Sequence, residues 1–561
     1  MEAGRPTTHH SAVQTPSREG ASASRGPFSP LSQPARWFLA PRVELRSQGM
    51  ARRNVLALVA VGCGLFAMVG AALLLTSERT TTIGPNVIVQ GLTRIDAINS
   101  PTILHNPTNP DNLVVSYRID RPNYSAAIQH SHDGGATWEL TDLPIPNGID
   151  ACTATLANKP CPFGPDMAFD HDGRLYVIYV NLIGNGNAPE FLWMATSDDG
   201  GRTLSAPVRI AGDRTGEIFQ ARLAVAPDKT IHITWLQGGE TGNLSLLGVN
   251  PIVTVRSEDG GQTWTSPVVI SDSGRDRVGS ASPAIDRNGN ITVLYQDYKG
   301  DRRNFEYLEG PVFEDPYALV ITRSVDGGQT WTRGVEFESG LVPTRRFLVY
   351  LPESPALAIG PDGTIYAAWM DGRNTDEDVF VKKSPDGGRS WSPAIRVNDN
   401  PIRDGTSQYM PRLAVNRSGR VDVVFYDRRN DSRDIMTDVY LATSTDGGET
   451  FTNRRLTSEP FDSRVGPIVS ELHGTDFGTR LGIDSWGNNV VAAWTDTRQG
   501  SDADGKQDIG TVKVTLAEQP PFLGRWPVIL LLFLVGAAAL GLALREGRQP
   551  PVAEEKEAVP A

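Results

Sequence analysis

Three features of the sequence predict an all-β fold, a seven-bladed β-propeller, with a six-bladed propeller as the alternative. An eight-residue pattern, here called the box, recurs six times at intervals of 60 to 67 residues. Such a spacing is typical of repeat architectures. Seven pairs of predicted strands surround the six boxes, and one unpaired predicted strand precedes the first pair.

Each box reads Ser-x-Asp-Gly-Gly-x-Thr/Ser, followed by an aromatic residue or Leu, as in residues 131–138. We expect the aspartate to accept backbone N–H bonds in a tight turn, where the two glycines allow positive φ angles. The predicted structural aspartates are Asp133, Asp199, Asp259, Asp326, Asp386 and Asp446. The alternative is a calcium loop, but that needs more oxygen ligands than the one or two carboxylates of a box. No metal and no other cofactor is therefore expected.

The box resembles the Asp box, or BNR repeat, of the sialidase superfamily of β-propellers. The resemblance covers residues 85–516, and it implies a propeller fold with the boxes away from the functional centre. Sialidases of that superfamily have six blades, whereas the strand pairs here number seven. The resemblance therefore implies the fold more strongly than the activity.

Each repeat reads as strand A, a short Asp/Asn-Gly hairpin, strand B, strand C, the box and strand D, because β-branched and aromatic residues alternate. The predicted A strands begin near Pro101, Pro165, Arg222, Pro283, Pro355, Arg412 and Arg480. The seventh repeat ends after its third strand. Residues 84–90 (GPNVIVQ) resemble the D strands, so we expect this segment to complete the last blade and close the ring.

Strand directions divide the loops between two faces of the propeller. Because strands in a blade alternate, the D-to-A and B-to-C loops share one face, here the loop face, and the boxes lie on the other, the box face. The loops predicted on the loop face are long, as in residues 141–164 and 298–316. Long insertions on one face predict a binding face there. Both linkers, 77–83 and 517–525, should leave from the box face.

Two uncharged apolar segments, residues 54–76 and 526–544, are each long enough to be a transmembrane helix. Residues 1–53, an Arg-rich tail with no apolar period, and residues 545–561 would be cytoplasmic by the positive-inside rule. The propeller would then be extracytoplasmic, in a cell-membrane protein that contacts the bilayer through two helices. A cleaved signal peptide is the alternative for the first segment, and translation could begin at Met1 or at Met50.

Charge and cysteine content limit the partners and the chemistry. The net charge is −12, and the basic tail at 1–53 leaves the predicted propeller about −16. Nucleic acid is therefore not expected as a partner. Cys152 and Cys161 lie in the predicted external region, where a disulfide can persist, with two free thiols as the alternative. No Cys/His spacing indicates zinc.

Arginines at strand ends are the candidate ligand-binding residues. Strand B ends in aromatic-x-Asp-x-Arg at 369–373 and 494–498, and in a shortened form at 426–429, while three A strands begin with Arg. Arginine binds carboxylates through two parallel hydrogen bonds, so these side chains could hold an acidic sugar. The candidates are Arg121, Arg222, Arg373, Arg412, Arg428, Arg480 and Arg498. The alternative is that each Asp pairs with a nearby Arg and fixes a loop.

Catalytic residues are only partly indicated. The sialidase resemblance implies three arginines, a Tyr nucleophile with a Glu partner and an Asp acid/base. Residues 100–104 (SPTIL) lack the Phe/Tyr-Arg-Ile-Pro motif of that family. Asp120 is the candidate acid/base, with Glu217 and Tyr409 as substitutes for the other two, although each of these two could be an ordinary loop residue.

These observations predict a membrane-anchored, extracytoplasmic, sialidase-like propeller that recognises a glycan or a surface protein ligand. One alternative is a glycoside hydrolase, and another is a scaffold of a membrane protein complex.

Overall fold

The computed structural model describes residues 81–91, 96–121, 124–146, 161–183, 188–211, 217–238, 250–275, 277–299, 316–342, 355–470, 474–475 and 477–517. These residues form an all-β, seven-bladed propeller, as the sequence predicts. In this part of the chain, no helix has the length and apolar character needed to cross a bilayer. The predicted spans at 54–76 and 526–544, both tails and Cys152 lie outside the described residues.

Each blade is an antiparallel sheet of four consecutive strands, except the last. Two short strands come first: β1 (Thr82–Ile83) and β2 (Val87–Val89). Blade 1 contains β3 (Ala97–Asn106), β4 (Asn109–Arg121), β5 (Ser125–Ser131) and β6 (Glu139–Thr141). Blade 2 contains β7 (Cys161–Phe169), β8 (Leu175–Ile183), β9 (Ala188–Ser197) and β10 (Val208–Ala211). Blade 3 contains β11 (Ile218–Val225), β12 (Ile231–Gln237), β13 (Ile252–Ser257) and β14 (Val268–Val269). Blade 4 contains β15 (Val278–Ile285), β16 (Ile291–Asp297), β17 (Tyr317–Ser324) and β18 (Val335–Leu341).

The later blades follow the same order. Blade 5 contains β19 (Ala356–Ile359), β20 (Ile365–Asp371), β21 (Asp378–Ser384) and β22 (Ile395–Arg396). Blade 6 contains β23 (Gln408–Val415), β24 (Val421–Asp427), β25 (Met436–Ser444) and β26 (Thr452–Arg455), and β27 (Phe461–Asp462) also pairs with β25. A small hairpin of β28 (Ile468–Ser470) and β29 (Gly474–Thr475) leads to blade 7. Blade 7 contains β30 (Gly482–Trp486), β31 (Asn489–Asp496) and β32 (Asp508–Thr515).

The N-terminal strands close the ring, as predicted. Strand β2 pairs antiparallel with β32, with Val87 opposite Thr511, and β1 extends the pairing as far as Thr515. Asn86 fixes this strand to blade 6, because its amide donates to the Leu456 carbonyl (3.0 Å) and its oxygen accepts from the Ser458 N–H (2.8 Å). The last blade is therefore made from both ends of the propeller.

Each box closes its own turn through its serine and aspartate. In blade 4, Asp326 accepts the backbone N–H groups of Gln329 and Thr330 at 3.0 and 2.9 Å. Ser324 donates to Asp326 and accepts the N–H of Gly328, both at 2.7 Å. Similar bonds occur in the other five boxes. The carboxylates are used by their turns, in agreement with a structural role.

Boxes also join neighbouring blades. The residue before the box serine, at the end of strand C, reaches the next blade's box in three successive blades. Arg256 donates to the Gly327 carbonyl (2.7 Å), Arg323 to Gly387 (2.8 Å) and Lys383 to Gly447 (2.8 Å). In these blades a basic side chain therefore donates a hydrogen bond to a carbonyl in the box of the next blade. The sequence analysis did not predict this contact.

The innermost strand, A, contains a β-bulge in five blades. Each bulge places two residues opposite one on strand B, for example between Phe219 and Arg222 and between Tyr409 and Arg412. The residue two positions before the end of the bulge has a positive φ angle in Ser100, Gly164, Gln220, Ser280 and Met410. Such angles cost about 1–3 kcal/mol for residues other than glycine. Because of the bulge, several A strands begin about four residues earlier than predicted, as β11 does at Ile218.

Candidate functional site

Each blade has one residue at an equivalent position of the central channel, on strand A or, in blade 7, two residues before it. In the five blades with a bulge this residue directly follows the bulge. This set, here called the channel ring, is Thr102, Asp166, Arg222, Ser282, Ala356, Arg412 and Arg480. Five of the seven line a cavity of about 160 Å³. The residue that follows is apolar in all seven blades, and the next is Ala in five of them. Seven copies of one strand thus differ mainly at the ring, where the charged residues of the channel are found.

Hydrogen bonds join one side of the ring across blades 7, 1, 2 and 3. Arg480 donates to the Thr102 hydroxyl (3.1 Å) and, from blade 7, to the Pro165 carbonyl in blade 2 (2.8 Å). Thr102 donates to Asp166 (3.2 Å), which also accepts the N–H of Leu223 (3.0 Å). The Arg480 guanidinium lies 3.8 Å from the Asp166 carboxylate. These two residues therefore form a neutral pair.

The other two ring arginines, Arg222 and Arg412, have no such partner. Neither forms an ion pair with any residue that the structure describes, and the Nε atom of Arg222 is buried without a hydrogen-bond partner there. Arg222 is 5% exposed. Burial, and then the charge of Arg222, lower the pKa of Arg412 to about 10. Asp166, the one carboxylate of the ring, opposes the lowering of the pKa of both arginines. Three ring arginines thus share one carboxylate, and two positive charges remain in excess.

The Asp-x-Arg motifs on strand B form ion pairs with themselves, which is the alternative that the sequence analysis kept. Arg373 donates to Asp371 (2.7 Å) and to Glu338 of the preceding blade (2.7 Å). Arg498 pairs with Asp496 (2.6 Å) in the same way. Neither arginine lines the cavity. Arg373 and Arg498 therefore stabilise the ends of the B strands.

In blades 5, 6 and 7, the aspartate that ends strand B lies opposite a second aspartate on strand C. The opposite pairs are Asp371 with Asp378, Asp427 with Asp438, and Asp496 with Asp508. Directly opposite like charges destabilise a sheet, so the neighbouring cations are needed. In blade 6, Arg429 and Arg455 supply them.

Arg428 and Tyr409 are interior residues of blade 6. Arg428 is 4% exposed and donates to Ser463 (2.6 Å), Thr437 (3.1 Å) and the Asp434 carbonyl (3.0 Å). Its guanidinium lies 4.9 Å from the centre of the Tyr409 ring. The Tyr409 side chain is fully buried, with its hydroxyl 3.0 Å from Thr437 Oγ1. The packing leaves no access for a substrate to this phenol.

Asp120 lies on the loop face of blade 1, at the end of strand β4. Its carboxylate accepts from Arg118 (2.6 Å) and from Asn99 (2.7 Å). Arg121 follows it and is partly buried. Asp120, Glu217 and Tyr409 are in blades 1, 3 and 6, so the three catalytic candidates are distributed over the ring of blades.

Glu217 is a buried carboxyl directly before strand β11, the strand that carries Arg222. It is 4% exposed, and its Oε2 atom has no hydrogen-bond partner among the described residues. Burial, followed by the charge of Glu190, raises the pKa of Glu217 to about 7. A carboxyl with such a pKa can hold or release a proton near neutral pH.

The described residues contain no cluster of His, Cys, Asp or Glu suited to a metal ion. The predicted disulfide cannot be located there, since Cys152 lies outside them.

Sequence reasoning found the three ring arginines but missed Thr102, Asp166 and Ser282. The signal that could have found them is the repeat itself. Aligning the seven A strands shows that they share one position at which the residue type changes from blade to blade.

Comparison with known proteins finds matches among solved structures, but no family model and no curated protein matches. A Hadza microbial sialidase is 18% identical with a TM-score of 0.42, covering 59% of this chain and 64% of its own. A PL25 ulvan lyase bound to -[GlcA(1-4)Rha3S]- is 14% identical (TM-score 0.43; 75% and 94% covered). A Penicillium chrysogenum α-L-arabinanase is 16% identical (TM-score 0.37; 64% and 94% covered). These likenesses are too distant to bear on the activity of this chain.

Proposed function

We propose that this propeller recognises an acidic ligand, in the first place an acidic glycan, at the channel ring. The observation that carries the proposal is the pair of unpaired ring arginines, Arg222 and Arg412, beside a cavity. Buried charges are normally paired, so an exogenous anion is the natural counter-ion. Arginine is also suited to bind oxyanions because its planar guanidinium donates parallel hydrogen bonds.

The proposal includes anchoring in a cell membrane through residues 54–76 and 526–544, with the propeller outside the cytoplasm. The positions of the first and last described residues support it. Ala517 donates from its N–H to Thr81 Oγ1 (3.3 Å), beside the A-to-B hairpin of blade 7 at the box face. Both linkers would therefore leave the propeller from the box face.

A glycan array probed with the full-length chain tests the proposal. We expect acidic glycans to bind the wild type, and Arg222→Gln or Arg412→Gln to weaken that binding by about tenfold or more. The matched control is Arg433→Gln, because the Arg433 side chain is 70% exposed and lies outside the ring. Equal binding by all four proteins, or binding of neutral glycans alone, would overturn the proposal.

A glycoside hydrolase is the second candidate, and Glu217 is the observation that favours it. Its buried carboxyl with a pKa near 7 resembles a general acid in its properties. Incubation with fluorogenic sialosides and arabinosides measures turnover directly. Hydrolysis that Glu217→Gln or Asp120→Asn abolishes would establish catalysis, whereas binding without turnover leaves the recognition function alone.

A further inference from the structure

We infer that the acidic group held at the channel ring is a doubly charged tetrahedral oxyanion, a phosphate monoester, rather than a singly charged carboxylate. This inference rests on the proposed function and specifies its ligand. Charge, geometry and the size of the cavity each support it.

The charge at the site is the first argument. Arg480 and Asp166 neutralise each other, as do Arg118 and Asp120 at the rim. Arg222 and Arg412 remain, and they supply two positive charges beside one cavity. A phosphate monoester carries about −1.5 to −2 at pH 7, whereas a carboxylate or a sulfate ester carries only about −1. Only the phosphate comes close to neutralising this site.

The arrangement of the arginines is the second argument. Arg222 is in blade 3 and Arg412 in blade 6, three blade steps of about 51° apart in a seven-bladed ring, so they approach from nearly opposite sides. Arg480 contributes no third direction, because Thr102, the Pro165 carbonyl and Asp166 hold its guanidinium and it does not line the cavity. The tetrahedral oxygens of a phosphoryl group point away from one another and offer an acceptor to each of the two arginines. A carboxylate has only two coplanar oxygens, and a two-bond contact with one arginine engages both of them.

The size of the cavity is the third argument. Its volume of about 160 Å³ corresponds to roughly five water molecules at about 30 Å³ each. Apolar side chains, among them Met167, Leu223 and Leu413, line the wall next to the ring. The space suits a phosphoryl group, while the sugar or lipid that carries it would extend beyond the cavity.

Calorimetric titration of the full-length chain with inorganic phosphate, sulfate and acetate, at constant ionic strength and about pH 7.5, tests the inference. We expect phosphate and sulfate, both dianions, to bind at least about tenfold more tightly than acetate. Binding of inorganic phosphate should weaken as the pH falls below neutrality, where it becomes mainly a monoanion, and binding of a phosphate monoester should weaken as the pH falls through about 6, while binding of sulfate should not weaken. A hexose 6-phosphate should bind more tightly than a hexose 6-sulfate, and a soluble short-chain phosphatidic acid tests whether a lipid carrier is preferred.

Variants connect the binding to the ring. Arg222→Gln and Arg412→Gln should each lower phosphate affinity about tenfold or more, and Arg433→Gln should leave it unchanged. Asp166→Asn removes the one negative ring charge and should raise the affinity. If a glutamine variant fails to fold, Arg412→Lys keeps the charge without the planar fork and should bind phosphate several-fold more weakly than the wild type.

The outcomes separate the two proposals. Acetate or glucuronate binding as tightly as phosphate, with loss in Arg412→Gln, would overturn the phosphate inference and leave acidic-ligand recognition standing. Absence of binding for every anion, or binding that none of the ring variants changes, would overturn both.

Discussion

Carboxylates in this protein have three roles, and the neighbours of each decide which one it has. In the boxes, hydrogen bonds from the hydroxyl and N–H of Thr137 lower the pKa of Asp133 to about 2. At the ends of the B strands, burial raises the pKa of Asp427 while Arg429 opposes the rise. Glu217 is buried without either kind of partner and has a pKa near 7. Chemistry at neutral pH is therefore expected from Glu217 rather than from the more numerous aspartates.

Two adjacent aspartates allow a direct test of the box turn. Asp199 accepts from the N–H and hydroxyl of Thr203 (3.0 and 2.6 Å), whereas the Asp198 side chain is 74% exposed. We expect Asp199→Ala to lower the free energy of unfolding by about 1–2 kcal/mol and Asp198→Ala to change it by less than about 0.5 kcal/mol. Urea denaturation of both variants gives the comparison. Equal effects would contradict a turn-specific role.

Protonation of His232 is expected to destabilise the fold in mild acid. Burial, followed by the charge of Arg256, lowers the pKa of this histidine to about 4, although Asp228 opposes the shift. Because the unfolded chain has the higher pKa, about 6.5, this stabilisation is complete above pH 6.5 and is lost as the pH falls towards 4.

The loss should reach up to about 3 kcal/mol. His232→Gln should therefore flatten the dependence of unfolding free energy on pH between about 6.5 and 4. Wild type and variant are compared at pH 8 to separate this effect from simple loss of packing. An unchanged slope would show that protonation of His232 does not cause the loss of stability in acid.

At the scale of the strand, the sequence predicts the strands of each repeat but not the side-chain contacts between blades. Alternation within each repeat predicted the order of strands A to D, and the unpaired segment at 84–90 predicted the closing strand. The bulge in strand A could not be predicted, because Gln220 and Met410 adopt positive φ angles that neither residue favours. The partner of Arg373 in blade 4, Glu338, is also invisible to local pattern, since only the packing of blades brings them together.

One contact between blades is open to test at this scale. Arg323 donates to the Gly387 carbonyl (2.8 Å) and to the Thr292 hydroxyl (3.1 Å). Arg323→Ala leaves that turn carbonyl without its partner and should lower the free energy of unfolding by about 1–3 kcal/mol. Hydrogen exchange at residues 386–390 should become faster. The control is Arg333→Ala, because Arg333 is exposed; an equal loss in both would rule out the blade-to-blade bond as the cause.

For the whole molecule, the channel ring and the closing strand depend on one another. Arg480 belongs to the last blade, which the N-terminal strand completes, and it contacts residues of blades 1 and 2. The geometry around the cavity therefore requires a closed ring. The candidate site was only partly predictable, because the seven residues of the channel ring come from blades that are far apart in the sequence.

Weakening the closing strand should destabilise the entire ring. Asn86→Ala removes the bonds to Leu456 and Ser458, and we expect a loss of about 2 kcal/mol together with faster proteolysis in residues 81–91. Gln90→Ala is the control, since Gln90 is exposed in the same segment. If the two variants are cleaved equally fast, Asn86 does not hold the closure.

The pairing of β1 and β2 with β32 also determines how the propeller responds to mechanical load. Both strands run antiparallel to β32, and the first and last described residues, Thr81 and Ala517, lie side by side. A force that separates these ends would pull on the interstrand bonds one after another, as in a zipper, rather than on all of them in shear. The last blade would then open at low force, beginning at Thr82 and Thr515, whereas each other blade is a sheet whose four main strands are consecutive in the chain.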